Sequence, residues 1–264
     1  VTRRPVLTVL AAVAVFFLLF PIVVVVGIAV MAGTALAFPP EGLSLRWFTE
    51  AVSYEPFRSA LGTSLVVAVF ATVLALVVGV PATYAIHRRS PRGRTLLQTL
   101  FLSPLIVPEL VLSFALFQFF VVQAGIDTLS ALVVGHAVLL LPYTVRVTGA
   151  SLLAADPALE EAATGLGAGP LTTFFRITLP VIAPGVVAAS ILSVLTSFNN
   201  VPLSLMLTSR RVETLPVAML SYVQTSFTPM VAAASTLLLV FAVAVALVTE
   251  RLVGFQKVFG RSSS

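Results

Sequence analysis

Cysteine is absent from this 264-residue chain, and charge is scarce. Without thiols there can be no disulfide, no thiolate metal site and no cysteine nucleophile. Charged residues make up 9% of the chain, against roughly 25% in a soluble domain, which leaves too little polar surface for a water-facing globule. Histidine occurs twice, His87 in a basic loop and His136 in an apolar run, which argues against a histidine metal cluster. No phosphate-cradling loop of the Walker type is present, so the chain is expected to bind no nucleotide or other cofactor itself. The apolar runs hold no clustered Ser/His, paired Asp or His/Glu metal set, which speaks against an intramembrane enzyme and for a chain without catalytic residues.

What is abundant is apolar sequence: 59% of residues are hydrophobic and the mean hydropathy is +1.10. A helix needs about 20 apolar residues to cross a bilayer core. Six segments meet that length, at 6–32, 60–85, 96–122, 129–150, 182–207 and 229–248, so the expected class is an all-α polytopic membrane protein. The first segment has a rival reading as a secretory signal, because Arg3 and Arg4 precede it and Ala35-Leu36-Ala37 resembles a cleavage site. A signal peptide carries an apolar core of about 7–15 residues. Here the uncharged run extends from Pro5 to Pro40, which favours an uncleaved spanning helix.

Basic residues set the orientation. Eleven of the 15 fall on one face: Arg3, Arg4, Arg88, Arg89, Arg92, Arg94, Arg146, Arg176, Arg251, Lys257 and Arg261. Arg46, Arg58, Arg210 and Arg211 fall on the other. The crowded face is expected to be cytoplasmic, with both termini inside. The net charge of +5 is therefore read as a topology signal and not as a nucleic-acid footprint. Two loops, 39–59 and 208–228, then lie outside. Trp47 in the first suits the headgroup level, and the pair is open to two readings, simple connectors or a dock for a soluble partner.

Between the fourth and fifth segments lies a polar, glycine-broken island, residues 156–180. Irregular backbone of this kind cannot sit in hydrocarbon, so it belongs at the cytoplasmic surface. Asp156 and Pro157 start a helix, and Glu160 and Glu161 suit its first turn. Gly165, Gly167 and Gly169 break it. Pro170 opens a second short helix offering Phe174, Phe175 and Ile177, and Pro180 and Pro184 mark the entry to the fifth segment. The expected shape is helix, tight turn, helix, serving either as an interfacial connector or as a contact for a partner.

The order Glu161-Ala162-Ala163, three residues, Gly167, nine residues, Ile177, one residue, Leu179-Pro180 resembles the EAA loop of membrane subunits of type I binding-protein-dependent ABC importers. Each position and all three gaps match. Six spans with the loop after the fourth extend the resemblance over most of the chain and imply the MetI-like permease fold. Ser197-Phe198-Asn199-Asn200, followed by Thr214-Leu215-Pro216 and a last span, is further similar to the second permease of spermidine/putrescine-type importers. Asn199 or Asn200 stands where many such relatives carry aspartate. The resemblance implies a coupling helix around Glu160, Glu161, Ala162, Ala163 and Gly167 that seats in a cytoplasmic ATPase subunit, with ATP and Mg held by that partner. It also implies a second permease subunit, two ATP-binding subunits, an extracytoplasmic solute-binding protein and a bacterial inner membrane. The implied solute is a polyamine or related organic cation, with iron, thiamine, phosphonate and opines as other solutes of the wider group. A secondary transporter driven by an ion gradient is the other transport class, and it leaves the island unexplained.

Ionisable groups inside spans are costly and are functional candidates by default. Glu109 follows Pro108 about 18 Å into the third segment at 1.5 Å per residue. Pro104 and Pro108 should kink that helix and free carbonyls. Glu109 is open to two roles, lining a cation pathway or bonding a neighbouring helix. Asn199 and Asn200 share that ambiguity. His136 is either a hydrogen-bonded packing residue or a pathway group, and Arg146 is expected to snorkel to the interface.

Overall fold

The computed structural model describes residues 3–34, 38–40, 42–89, 93–209, 211–226 and 228–259. Ala35-Leu36-Ala37, Arg92, Arg210 and Arg261, which figure in the readings above, lie outside the described residues. The all-helical expectation holds: among the described residues β pairing is limited to one bridge, Met31 to Leu43.

The chain forms two compact units. The first comprises Val1–Ser59 and Ala218–Ala244. It contains α1 (Arg3–Ala29), whose stretch Leu7–Ala29 has a mean hydropathy of 3.2 and is long enough to span. Next comes the short amphipathic α2 (Arg46–Ser53), which buries Trp47 and Ala51 one turn apart. Trp47 donates its Nε1–H to the Met31 carbonyl at 3.0 Å, and the Arg46 guanidinium stacks 4.3 Å over its ring. Trp47, expected at the headgroup level, is instead buried, and its indole N–H gains the polar partner that a buried tryptophan needs.

The second unit comprises Ala60–Val217 and Val245–Ser264. α3 (Glu55–Tyr84) enters it and ends in a π-helical turn, Ala85–Arg89. α4 (Arg94–Leu102) runs into a 3₁₀ turn at Ser103–Leu105, and α5 (Glu109–Phe117) into a π turn at Gln118–Gln123. α6 (Thr128–Ala154) is the buried centre. Asp127 caps it, accepting from the Ser130 N–H at 3.0 Å, and that bond holds its carboxyl below the usual carboxylate range. The cap therefore persists from neutral pH down past 3.8 and is lost only as pH falls through the lowered value. The remaining helices are α7 (Ala158–Gly165), α8 (Pro170–Thr173), α9 (Leu179–Val181), α10 (Ala183–Phe198), α11 (Pro202–Leu207), α12 (Leu215–Thr225) and α13 (Met230–Phe259).

Small residues let these helices approach closely, the usual currency of packing where lipid offers no hydrophobic driving force. Ala71 and Ala75 of α3 pack on Ala137 and Leu140 of α6, and Thr83 Oγ1 meets Thr148 Oγ1 at 3.0 Å. α10 crosses α6 at Gly185, where an added Cβ would lie 2.3 Å from Ser151 Cβ. Gly185→Ala is therefore expected to push α10 off α6 and to cost about 1–3 kcal/mol, as overpacking does. A lowered unfolding temperature in detergent checks this, and a Gly185→Ala, Ser151→Gly double variant should recover most of the loss.

Three described helices are long and apolar enough to cross a membrane, and five spans result if each bent helix pair is counted as one. The expected segments 60–85 and 129–150 are continuous helices. The expected segment 96–122 is broken: Arg94–Leu105 and Glu109–Gln123 meet at 96°. Pro104 and Pro108 supply no N–H to continue the ladder, and Ser103 Oγ takes up the Leu100 carbonyl at 2.8 Å. The expected segment 182–207 likewise breaks after Phe198 and restarts at Pro202.

Candidate functional site

The island folds as expected, into helix, turn and helix. Asp156 Oδ1 accepts from the Ala158 N–H at 2.9 Å and starts α7. The helix ends in a turn whose amides of Leu166, Gly167 and Ala168 bond back to the carbonyls of Ala162, Thr164 and Ala163. Of the three glycines, only Gly167 has a left-handed backbone, at φ +89°; nothing lies within 4 Å of where its Cβ would be. Its requirement is conformational and not steric. Gly169 has φ −71°, which any residue adopts. The aromatic pair divides. Phe174 is buried against Tyr84 at 5.1 Å, with Val80, Leu152 and Ile182 around it. Phe175 points outward, 60% exposed, so the two do not form one apolar face.

The two glutamates, inseparable in sequence, have different surroundings. Glu160 Oε1 takes a hydrogen bond from Arg88 Nε at 3.2 Å, with both side chains largely enclosed. Glu161 and Ala162 are exposed, and Ala163 is half-buried. A cleft of about 540 Å³ opens here between Tyr84 and Arg88 on one side and Pro157, Glu160, Glu161, Thr164, Gly165 and Thr173 on the other. Arg88 is a residue that sequence reasoning missed. Its only sequence signal was membership of a basic cluster, and nothing local pairs it with a carboxylate 72 positions away.

A second constellation forms where the two broken helices meet. Glu109 opens α5, and Asn200 lies in the gap between α10 and α11. Asn200 Nδ2 donates to Glu109 Oε1. The amide orientation follows from its other end, because Asn200 Oδ1 accepts the Leu203 N–H at 3.0 Å. Asn200 is buried and Glu109 half-buried. Asn199, by contrast, is exposed and donates its Nδ2 to the Leu195 carbonyl at 2.9 Å. His136 lies fully buried behind the gap. Its Nδ1 is 2.8 Å from Ser197 Oγ on α10, and its Nε2 is 3.1 Å from Ser204 Oγ on α11. Ser204 spends its proton on the Asn200 carbonyl at 2.8 Å, so it can only accept from His136. Nε2 therefore carries a proton and Nδ1 accepts from Ser197. The hydrogen bonds run Ser197 to His136 to Ser204 to the Asn200 backbone, and the Asn200 side chain goes on to Glu109. Arg146 is exposed on α6, roughly 12 Å before its end at 1.5 Å per residue, a depth from which arginine can snorkel.

A family profile for the binding-protein-dependent transport system inner membrane component matches residues 75–256, which include the island and the junction. The chain belongs to this family. It is an ABC importer permease subunit, a membrane transport component, and not a secondary transporter. The spermidine/putrescine transport system permease protein PotC of Haemophilus influenzae is 28% identical over 80% of this chain and 82% of its own. The putrescine transport system permease protein PotI of Escherichia coli is 29% identical over 75% and 73%. A bacterial alginate ABC transporter, solved in complex with an alginate pentasaccharide-bound periplasmic protein, shares the permease fold. Its TM-score is 0.70 at 18% identity, over 94% of this chain and 93% of that one.

Proposed function

We propose that this permease carries a polyamine or related small organic cation across a bacterial inner membrane by alternating access. Both termini lie in the cytoplasm in this reading. The chain pairs with a second, similar permease and is driven by two ATP-binding subunits, which hold the ATP and Mg. A solute-binding protein delivers cargo from outside. Glu161, Ala162, Ala163 and Gly167 form the surface offered to an ATPase subunit, and Glu109 with Asn200 forms the pathway contact. Asn199, exposed beside Asn200, is a further lining group, and His136 supports the junction from behind. The polyamine permeases named above support the solute class.

The observation that carries the solute reading is the Glu109 carboxylate at the junction of two broken helices. Asn200 occupies Oε1, which leaves Oε2 for a cationic amine. A carboxylate there disfavours an oxyanion, because like charges repel in a poorly solvated site. A hydrogen bond to a charged group is worth about 1.5–3 kcal/mol. Glu109→Gln, isosteric and neutral, is therefore expected to lower putrescine or spermidine uptake by about 10–100-fold at limiting solute. The measurement is radiolabelled uptake into proteoliposomes holding the assembled importer. Unchanged uptake kinetics in Glu109→Gln, or transport of molybdate in place of amines, would overturn the reading.

A further inference from the structure

One arginine ties α7 to two elements, α3 and α6, that a moving coupling helix would otherwise leave behind. Arg88 sits in the π-helical end of α3. Its Nε bonds Glu160 on α7 at 3.2 Å. Its Nη2 donates to the carbonyls of Leu152 and Ala155 at the end of α6, both at 3.2 Å. The Leu152 carbonyl also accepts the Ala155 N–H at 3.3 Å, so the guanidinium adds to the C-terminal cap of α6, where a cation is favoured. The Arg88 and Glu160 side chains are 19% and 16% exposed, so water competes little for the contact. Phe174, from the far side of the turn, packs on Tyr84 and Leu152 and closes the same corner.

We propose that Arg88 is the positioning residue that makes the coupling helix one rigid body with α3 and α6, so that displacement of α7 by an ATPase subunit moves both helices. Glu160 is then an internal anchor, and Glu161 alone of the pair is left to face outward. The guanidinium suits this task because its planar fork reaches a carboxylate and two carbonyls at once, which a lysine ammonium on a flexible stem does not reproduce. The chain of contacts then runs from α7 through α6 to His136 and the junction at Asn200.

The test uses the complete importer, with nitroxide labels introduced at Leu159→Cys on α7 and Phe70→Cys on α3. Both positions are exposed in this chain, which has no native thiol of its own; the partner subunits are used in cysteine-free form. Phe70 lies about 27 Å along α3 from Arg88 at 1.5 Å per residue. In the labelled parent, nucleotide is expected to leave the 159–70 distance narrow and unchanged, because the clamp holds. In Arg88→Ala the distance should broaden or shift by several Å on nucleotide binding. ATP hydrolysed per solute imported should rise at least tenfold, with the ATPase subunits still co-purifying. Arg88→Lys should fall between the two. If Arg88→Ala does not assemble, Glu160→Gln is read in its place, since it weakens the α7 link while Arg88 keeps its carbonyl bonds. A nucleotide-dependent distance in the parent, or a distance in the variant as unresponsive as the parent's, overturns the proposal. The distance measurement needs no solute, so its failure is distinct from failure of the polyamine reading.

Discussion

Glu161→Lys should abolish solute uptake while the chain still inserts and folds. α7 presents Glu161 and Ala162 to solvent, and its other carboxylate is already held by Arg88. In the proposed contact the exposed alanine would let a partner surface approach closely, and Glu161 would supply a charge on α7 that no partner among the described residues holds. Losing a hydrogen bond to a charged group costs about 1.5–3 kcal/mol, and reversing the charge adds repulsion on top. Association with the ATPase subunits is therefore expected to weaken by at least about 100-fold, and ATP hydrolysis should no longer track uptake. Gly167→Val acts differently on the same contact. Its Cβ would meet nothing within 4 Å, but φ is +89°. A left-handed backbone costs an L-residue roughly 1–2 kcal/mol, so the turn relaxes and α7 loses its exit angle. Insertion is checked by labelling single introduced cysteines, which this cysteine-free chain reports cleanly. Normal uptake by both variants would remove the island from the transport mechanism.

The contrast between the two constellations shows which physics a linear sequence exposes. The island is local: its cap, its helix and its glycine turn are decided by neighbours a few residues apart, so spacing alone gave its shape. Within it, the identity of the one indispensable glycine was not visible, because three candidates differ only in φ. The junction is non-local. His136 bonds residues 61 and 68 positions away, and Arg88 reaches 72, so no local pattern marks them as partners. Pro104 and Pro108 announced a bend in the third segment. Whether it gave a gentle kink in a continuous span or a 96° corner depends on what the freed groups meet, and that is set by packing. The kink expected at Pro104 and Pro108 carried no angle, and reading 182–207 as one continuous span missed the break at Asn200; the two breaks bring Glu109 and Asn200 together.

That junction makes His136→Phe an informative variant. Phenylalanine keeps an aromatic ring in a site with 0% exposure but strands Ser197 Oγ and removes the donor to Ser204 Oγ. Each buried polar group left unsatisfied costs about 1–3 kcal/mol, so a loss of about 2–5 kcal/mol is expected. Truncation by His136→Ala adds a cavity to the same loss. His136→Gln retains one donor and one acceptor and should recover part of the stability. The functional consequence follows from the direction of the hydrogen bonds. Without the ring, α10 and α11 are no longer stapled across their break, and Asn200 loses its fixed approach to Glu109. Any folded fraction of His136→Phe should then show a raised KM for the cation, with its maximal rate less affected, because the solute contact is misplaced while the coupling helix is intact. The pair of measurements is unfolding temperature in detergent and uptake as a function of solute concentration. If His136→Phe melts and transports like the parent, the serine–histidine–serine chain does not hold the junction, and Glu109 must be positioned by α5 alone.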